Sequence, residues 1–200
     1  MSIAAERRLA ISIEAFRAFY ESRPDEEHWE LIDGVPMIMA PATLIHQRIA
    51  SNLERLLNDA LEIRNPRLAA YQRVGVDLRP DVNNYDPEPD VVVVDNVVKS
   101  SDQRYVDCFY LAAEVVSDSD GARVELKRDI YKQHPHCRCV LTVRQDRHEV
   151  RVDSRNDAGW QVNILQQPTD ILALDEFGLR CTVADLYRGT PLQPRQPQPG

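Results

Sequence analysis

Pro89-Asp90-Val91-Val92-Val93-Val94-Asp95 is a continuous apolar run closed by an acid at each end. A half-exposed strand would alternate apolar and polar residues, whereas four valines in succession suit a central strand buried on both faces. Tyr110 to Val116 is a second such run, but it contains Glu114 between Ala112-Ala113 and Val115-Val116. Two consecutive buried strands with acids in or beside them set the fold class, and the flanking segments fill it in.

Upstream, Ser12 is placed to cap a short helix through Ser22, with Ile13, Phe16 and Phe19/Tyr20 on one face. Trp29 to Ile32, Asp33-Gly34 and Val35 to Met39 read as a hairpin, because Asp-Gly is a strong two-residue turn signal. Thr43 can cap a long helix to about Glu62, whose Ile49, Leu53, Leu56, Leu57 and Ala60 recur at helical spacing. Arg67 to Leu78 reads as one strand. Downstream, residues 122 to 133 have helical periodicity that stops before Pro135. Cys139 to Val143, Glu149 to Val152 and Trp160 to Leu165 read as strands, and Val183 to Tyr187 as a last short helix. The order predicts a mixed sheet with few helices, α/β or α+β, in one domain over residues 1–190. The proline-rich residues 191–200 are expected to form a disordered tail.

Composition removes several classes. Two hundred residues suffice for one medium domain, and 43% apolar with 28% charged is a globular balance. No apolar run approaches the roughly 20 residues of a membrane helix, and Met1 to Ala10 lacks the apolar core of a secretory signal. Cys108, Cys137, Cys139 and Cys181 show no disulfide framework spacing, which points to free thiols in the cytoplasm. No glycine-rich phosphate cradle and no G-x-S-x-G elbow is present. The net charge of −8 argues at first against a nucleic-acid partner. However, residues 77–120 carry 11 acids and 3 bases and so hold the whole excess, while residues 123–155 carry 9 bases and 5 acids.

The chemistry-bearing residues lie in that acidic stretch. An ionised Glu114 among alanines and valines costs several kcal/mol unless it is paired or bound to a cation. Lys127 shares a helix face with Val124 and Tyr131, where a lysine either snorkels to water or meets an acid. Asp90, Glu114 and Lys127 together could build a metal-assisted hydrolysis site. Taken singly, Asp90 could be an exposed strand end and Glu114 a salt-bridged edge residue. His134-Pro-His136-Cys137-Arg-Cys139 offers a rival, a zinc cluster, although alternating cysteines on a strand are also ordinary core thiols.

Pro89-Asp90, Glu114-Val115-Val116-Ser117 and Lys127 with Tyr131 four residues on resemble the Uma-two family, restriction-endonuclease-like proteins of the PD-(D/E)XK superfamily. Trp29-Glu30-Leu31-Ile32-Asp33-Gly34, Pro41 through His46 and Val183-Ala184-Asp185-Leu186-Tyr187 extend the resemblance over roughly residues 10 to 188. It implies a restriction-endonuclease-like fold: a four-stranded mixed core sheet flanked by helices, with a helix-hairpin-helix N-terminal segment and additional C-terminal strands. It further implies metal ligation by Asp90, Glu114 and the main-chain carbonyl of Val115, with Mg²⁺ or Mn²⁺ as cofactor. The superfamily's usual lysine position, two after the acid, is Val116 here, and the family's helical lysine corresponds to Lys127. Glu30 and His46 match family positions beside the site, with a hairpin salt bridge and a surface histidine as alternative roles. The implied activity is endonucleolytic cleavage of double-stranded DNA, for which a homodimer would supply two sites. Arg123, Cys139-Val140 and Val143-Arg144 depart from the family pattern. Those departures motivate the alternative of a catalytically inactive binding or assembly module.

Overall fold

The structure, a computed structural model, describes residues 10–24, 26–80, 82–100, 103–117 and 121–194. In chain order the first elements are α1 (Ile13–Glu21), β1 (Trp29–Ile32), β2 (Val35–Ile38), α2 (Leu44–Arg64), β3 (Leu68–Tyr71), β4 (Gly75–Val76), β5 (Val91–Asp95) and β6 (Tyr105–Val106). There follow β7 (Leu111–Val116), α3 (Gly121–Gln133), β8 (Cys139–Arg144), β9 (Val150–Asn156), β10 (Gly159–Leu165), β11 (Ile171–Leu174), β12 (Leu179–Thr182) and α4 (Val183–Leu186). Six strands form the main sheet in the order β10-β9-β8-β7-β5-β3, wider than the four-stranded core that the family resemblance implies. Only β7 and β8 run parallel in it, and α3 is the crossover between them.

The four valines of β5 are buried because both sheet faces are covered. Val91 and Val93 point toward α2, whose Ile49, Leu53, Leu57 and Leu61 recur every four residues and are at most 1% exposed. Each such side chain contributes about 1.5–3 kcal/mol on burial. Val92 and Val94 point the other way, with Ala112 and Val140, toward Tyr131 of α3. Strict alternation along β7 therefore carries Glu114 to the α3 face, the same side as Ala112.

The local signals are met where the sequence placed them. Ser12 caps α1 by accepting from the Ala15 N–H, and Thr43 caps α2 by accepting from the His46 N–H at 3.1 Å. The β1–β2 turn has φ of 50° at Asp33 and 72° at Gly34, the doubly left-handed geometry of a two-residue hairpin. The expected single strand from Arg67 to Leu78 is corrected: it breaks into β3 of the main sheet and β4, which pairs with β6. The break occurs at Arg73, whose φ of 56° is a left-handed conformation costing a non-glycine residue about 1–2 kcal/mol. Of the expected tail, residues 195–200 lie outside the described residues. Residues 191–194 turn back on the domain, with the Gly189 N–H donating to Gln193 O at 2.8 Å and Leu192 packed on the main core. Among the described residues no helix is long and apolar enough to cross a membrane.

Candidate active site

The β5–β7 register pairs Val91 with Ala113, and one step further sets Asp90 beside Glu114 on the α3 face. Directly opposed residues of antiparallel strands have Cβ atoms about 4.5–5.5 Å apart. Two carboxylates so placed repel one another unless a cation lies between or beside them.

For Glu114 that cation is Lys127. Its side chain is only 3% exposed, and Nζ lies 2.7 Å from Glu114 Oε1 and 2.9 Å from Glu30 Oε1. The lysine does not snorkel. It is held between an acid of the central sheet and an acid of the β1–β2 hairpin. Burial disfavours its ammonium, but the charges of Glu114 and Glu30 outweigh that and raise its pKa, so it stays protonated. Tyr131, one turn further along α3, donates its O–H to Glu114 Oε1 at 2.7 Å. Burial pushes the Glu114 carboxyl up to about 7; Lys127 opposes the rise, and the neighbouring Asp90 and Glu30 reinforce it.

Asp90 is fixed from two sides. Its Oδ2 accepts from the Val115 N–H at 2.7 Å and lies 3.1 Å from His46 Nε2. His46 stands in the first turn of α2, and Thr43, its cap, also donates to Gln145 beyond β8. Burial lowers the His46 pKa, but the hydrogen bond and charge of Asp90, with help from Glu114, raise it overall. The five side chains proposed from the sequence, Glu30, His46, Asp90, Glu114 and Lys127, thus gather in one cluster beside Val115. Glu30 makes its ion pair from the hairpin with Lys127, and His46 is half-buried against Asp90.

Two members lack a sequence-level assignment. Tyr131 is one. Glu88 is the other: its N–H donates to Glu30 Oε1 at 3.0 Å, and its carboxyl is pushed up to about 7. Burial is the main cause of that rise, opposed by Arg73 and reinforced by Glu30 and Asp90. The alternation Asp86, Glu88, Asp90 in an extended segment is the signal that could have found it.

The zinc alternative is not supported. Among the described residues no group of three or more His, Cys, Asp or Glu side chains is gathered to hold a metal ion. A site of two carboxylates and one main-chain carbonyl falls below that count. The four cysteines are free, Cys137 and Cys139 are buried core thiols, and His134 stacks on Phe109 at 4.4 Å. The departures from the family pattern also find a place. Cys139, Val140 and Val143 are at most 2% exposed and belong to the core, not to a substrate surface. Arg144 donates to Ser117 O at 3.0 Å and pairs with Glu149, and Arg123 reaches Met39 Sδ at 3.8 Å beside the pocket.

A family model described as Uma2, putative restriction endonuclease, matches residues 13–184. Among solved structures, the chain is similar to a putative nuclease belonging to DUF820 from Anabaena variabilis. The TM-score is 0.66 at 14% identity, covering 84% of this chain and 94% of that one. At that identity the likeness is one of fold. No curated protein matches the chain.

Proposed function

The chain belongs to the Uma2 family of putative restriction endonucleases, and we propose that it is a metal-dependent phosphodiester hydrolase that cuts double-stranded DNA. The observation that carries this reading is the buried Glu30–Lys127–Glu114 cluster beside Asp90. Such a cluster is costly as a mere structural device, because burying charges often exceeds what their attraction returns.

The residues fit a hard divalent cation. Two carboxylates, Glu30 and Glu114, hold one buried ammonium beside Asp90, and Glu30 Oε2 is buried with no hydrogen-bond partner. Burial keeps the Glu114 carboxyl raised even with Lys127 in contact, and a further cation beside it would favour its ionised form. Asp90, Glu114 and the Val115 carbonyl, an all-oxygen set, would hold Mg²⁺ or Mn²⁺. When bound, that ion supplies Lewis-acid polarisation of a phosphoryl oxygen.

The protein's own groups do the rest. Lys127, protonated and anchored by two acids, donates to an attacking water or to developing negative charge rather than acting as a base. Tyr131 and the Val115 N–H fix the Glu114 and Asp90 carboxylates in place. His46 holds the other flank of Asp90. On this reading a homodimer supplies one site per strand of the duplex, and the free thiols suit the cytoplasm. The inactive-module alternative loses weight because Cys139, Val140 and Val143 are core residues.

The test is cleavage of supercoiled plasmid, linear duplex and RNA in Mg²⁺ or Mn²⁺, comparing wild type with Asp90→Ala and Lys127→Ala. Wild type should cut duplex DNA, and each variant should lose at least about a hundredfold in rate, the scale of removing one preorganised electrostatic contact. Cleavage that survives both substitutions would sink the site assignment.

A further inference from the structure

Several arginines of the protein hold carboxylates: Arg17 with Asp86, Arg79 with Asp77, Arg151 with Asp153 and Arg188 with Asp185. Three arginines that lie close to β1 or β4 in the chain or in space are among those that do not. Among the described residues Arg23, Arg73 and Arg104 form no ion pair, in a chain whose net charge is −8.

Arg73 is the left-handed residue that breaks the strand between β3 and β4. Its guanidinium donates to the ring of His28. Burial and the Arg73 charge together lower the His28 pKa, so the ring is a neutral acceptor and not a counter-ion. His28 Nδ1 lies 3.9 Å from Glu88 Oε2, and the Glu88 N–H reaches the same Glu30 oxygen that Lys127 holds. Glu30, Glu88 and His28 thus lie between Lys127 and Arg73.

The Arg104 main chain lies beside that of Arg73, because the Gly75 N–H donates to its carbonyl at 3.0 Å. Tyr20, whose O–H is 3.5 Å from His28 Nδ1, lies in the field of both arginines. Arg23 stands on the same side, its guanidinium 4.6 Å from the Phe19 ring centroid, and Phe19 packs edge-on against Trp29, the neighbour of Glu30. Arg73 and Arg104 are exposed.

Exposed guanidinium groups beside an acidic cluster offset its repulsion of phosphate, and their planar forks match phosphate oxygens. Glycine would adopt the conformation of residue 73 without strain. Arginine there gives up stability and places an exposed cation beside His28. We propose that Arg73 and Arg104, with Arg23 beside them, are backbone anchors that seat the phosphates of a DNA duplex beside the Glu30–Asp90–Glu114–Lys127 cluster. The inference rests on the nuclease reading, and it names the surface on which the substrate lies.

The experiment is fluorescence anisotropy of a labelled 20-base-pair duplex, with Ca²⁺ in place of Mg²⁺, across a salt series. Wild type is compared with Arg73→Gly, Arg104→Ala, the double variant and Arg180→Ala, an exposed arginine on β12 that also forms no ion pair. Each phosphate contact removed should lower the slope of log affinity against log salt by about 0.9, so the double variant loses about 1.8. Arg180→Ala should leave the slope unchanged. Arg73→Gly should melt no lower than wild type while binding more weakly, an outcome that a structural role for Arg73 does not give. An unchanged slope in the double variant, with wild type binding and cleaving, overturns this placement and leaves the nuclease reading standing. A wild type that neither binds nor cleaves duplex overturns both. A slope loss seen only with a labelled single strand, at about 0.7 per arginine, overturns the duplex assignment.

Discussion

Replacing Lys127 by methionine keeps the apolar stem and removes the charge. The lost ammonium is 3% exposed and sits 2.7 Å and 2.9 Å from two carboxylates that are themselves buried. Removing one partner of a buried ion pair costs about 3–5 kcal/mol, because the other is left as an uncompensated charge. In a chain of 200 residues each kcal/mol shifts the melting temperature by about 2–4 °C. The variant should therefore melt about 6–20 °C below wild type at pH 8.

The pH dependence has a definite sign. Burial holds the Glu114 carboxyl at about 7, above its ordinary value of 4.5, and losing the lysine raises it further. A carboxyl raised in the folded state keeps its proton there while the unfolded chain releases it. Stability then falls as pH rises above the unfolded value, by up to about 1.4 kcal/mol per unit, until the folded group ionises. Wild type falls in the same way up to about pH 7, so the deficit of Lys127→Met should be flat from pH 5 to about 7 and grow from there toward pH 8. Adding Glu114→Gln removes the orphaned charge and should restore much of the melting temperature but none of the cleavage. Thermal melts by circular dichroism at three pH values decide the matter. A variant that melts within about 2 °C of wild type at pH 8, or whose deficit grows toward acid, refutes this electrostatic account.

Three further outcomes are expected. Gly34→Ala should lower the denaturant midpoint by an amount equivalent to more than about 1 kcal/mol, since φ is 72° and a Cβ there would lie 2.4 Å from Ala10 Cβ. Tyr131→Phe removes the O–H that donates to Glu114, and should cost about 1–2 kcal/mol in stability and slow cleavage while leaving duplex affinity unchanged. Asp77 is held at about 2, first by its hydrogen bond from Arg79, against opposing burial and with help from Arg17. Its stabilisation is therefore complete above about pH 4 and lost as pH falls toward 2. Allowing for solvent screening it is worth about 1 kcal/mol, and the stability gap between wild type and Asp77→Asn should close over that range.

Much of the site can be read from the chain because its key residues break local rules. Glu114 interrupts an apolar strand and Lys127 interrupts an apolar helix face, and each anomaly demands a partner that the other supplies. Caps at Ser12 and Thr43 and the Asp33-Gly34 turn are legible for a similar reason: they rest on interactions within a few residues. Arg73 escapes because nothing in Gln72-Arg73-Val74 carries turn chemistry, and the surrounding structure imposes its left-handed conformation. Glu88 escapes because its partner Glu30 is 58 residues away and its contact is made through a main-chain N–H. Asp153, fully buried yet paired with Lys132 of α3 and Arg151 of its own strand, is likewise invisible until α3 is laid over β9.

The crossover between the parallel strands β7 and β8 has a consequence for which mutations the site can absorb. Because Lys127 rides on α3, its direction depends on helical phase, and one residue turns a helix by about 100°. An insertion between Gly121 and Lys127 would swing the ammonium off Glu114 and carry Tyr131 with it. The same insertion in the β9–β10 turn at Asp157-Ala158 lies outside this linkage. The pocket is keyed to a residue count along one helix, so its surroundings tolerate exchanged side chains far better than an altered length.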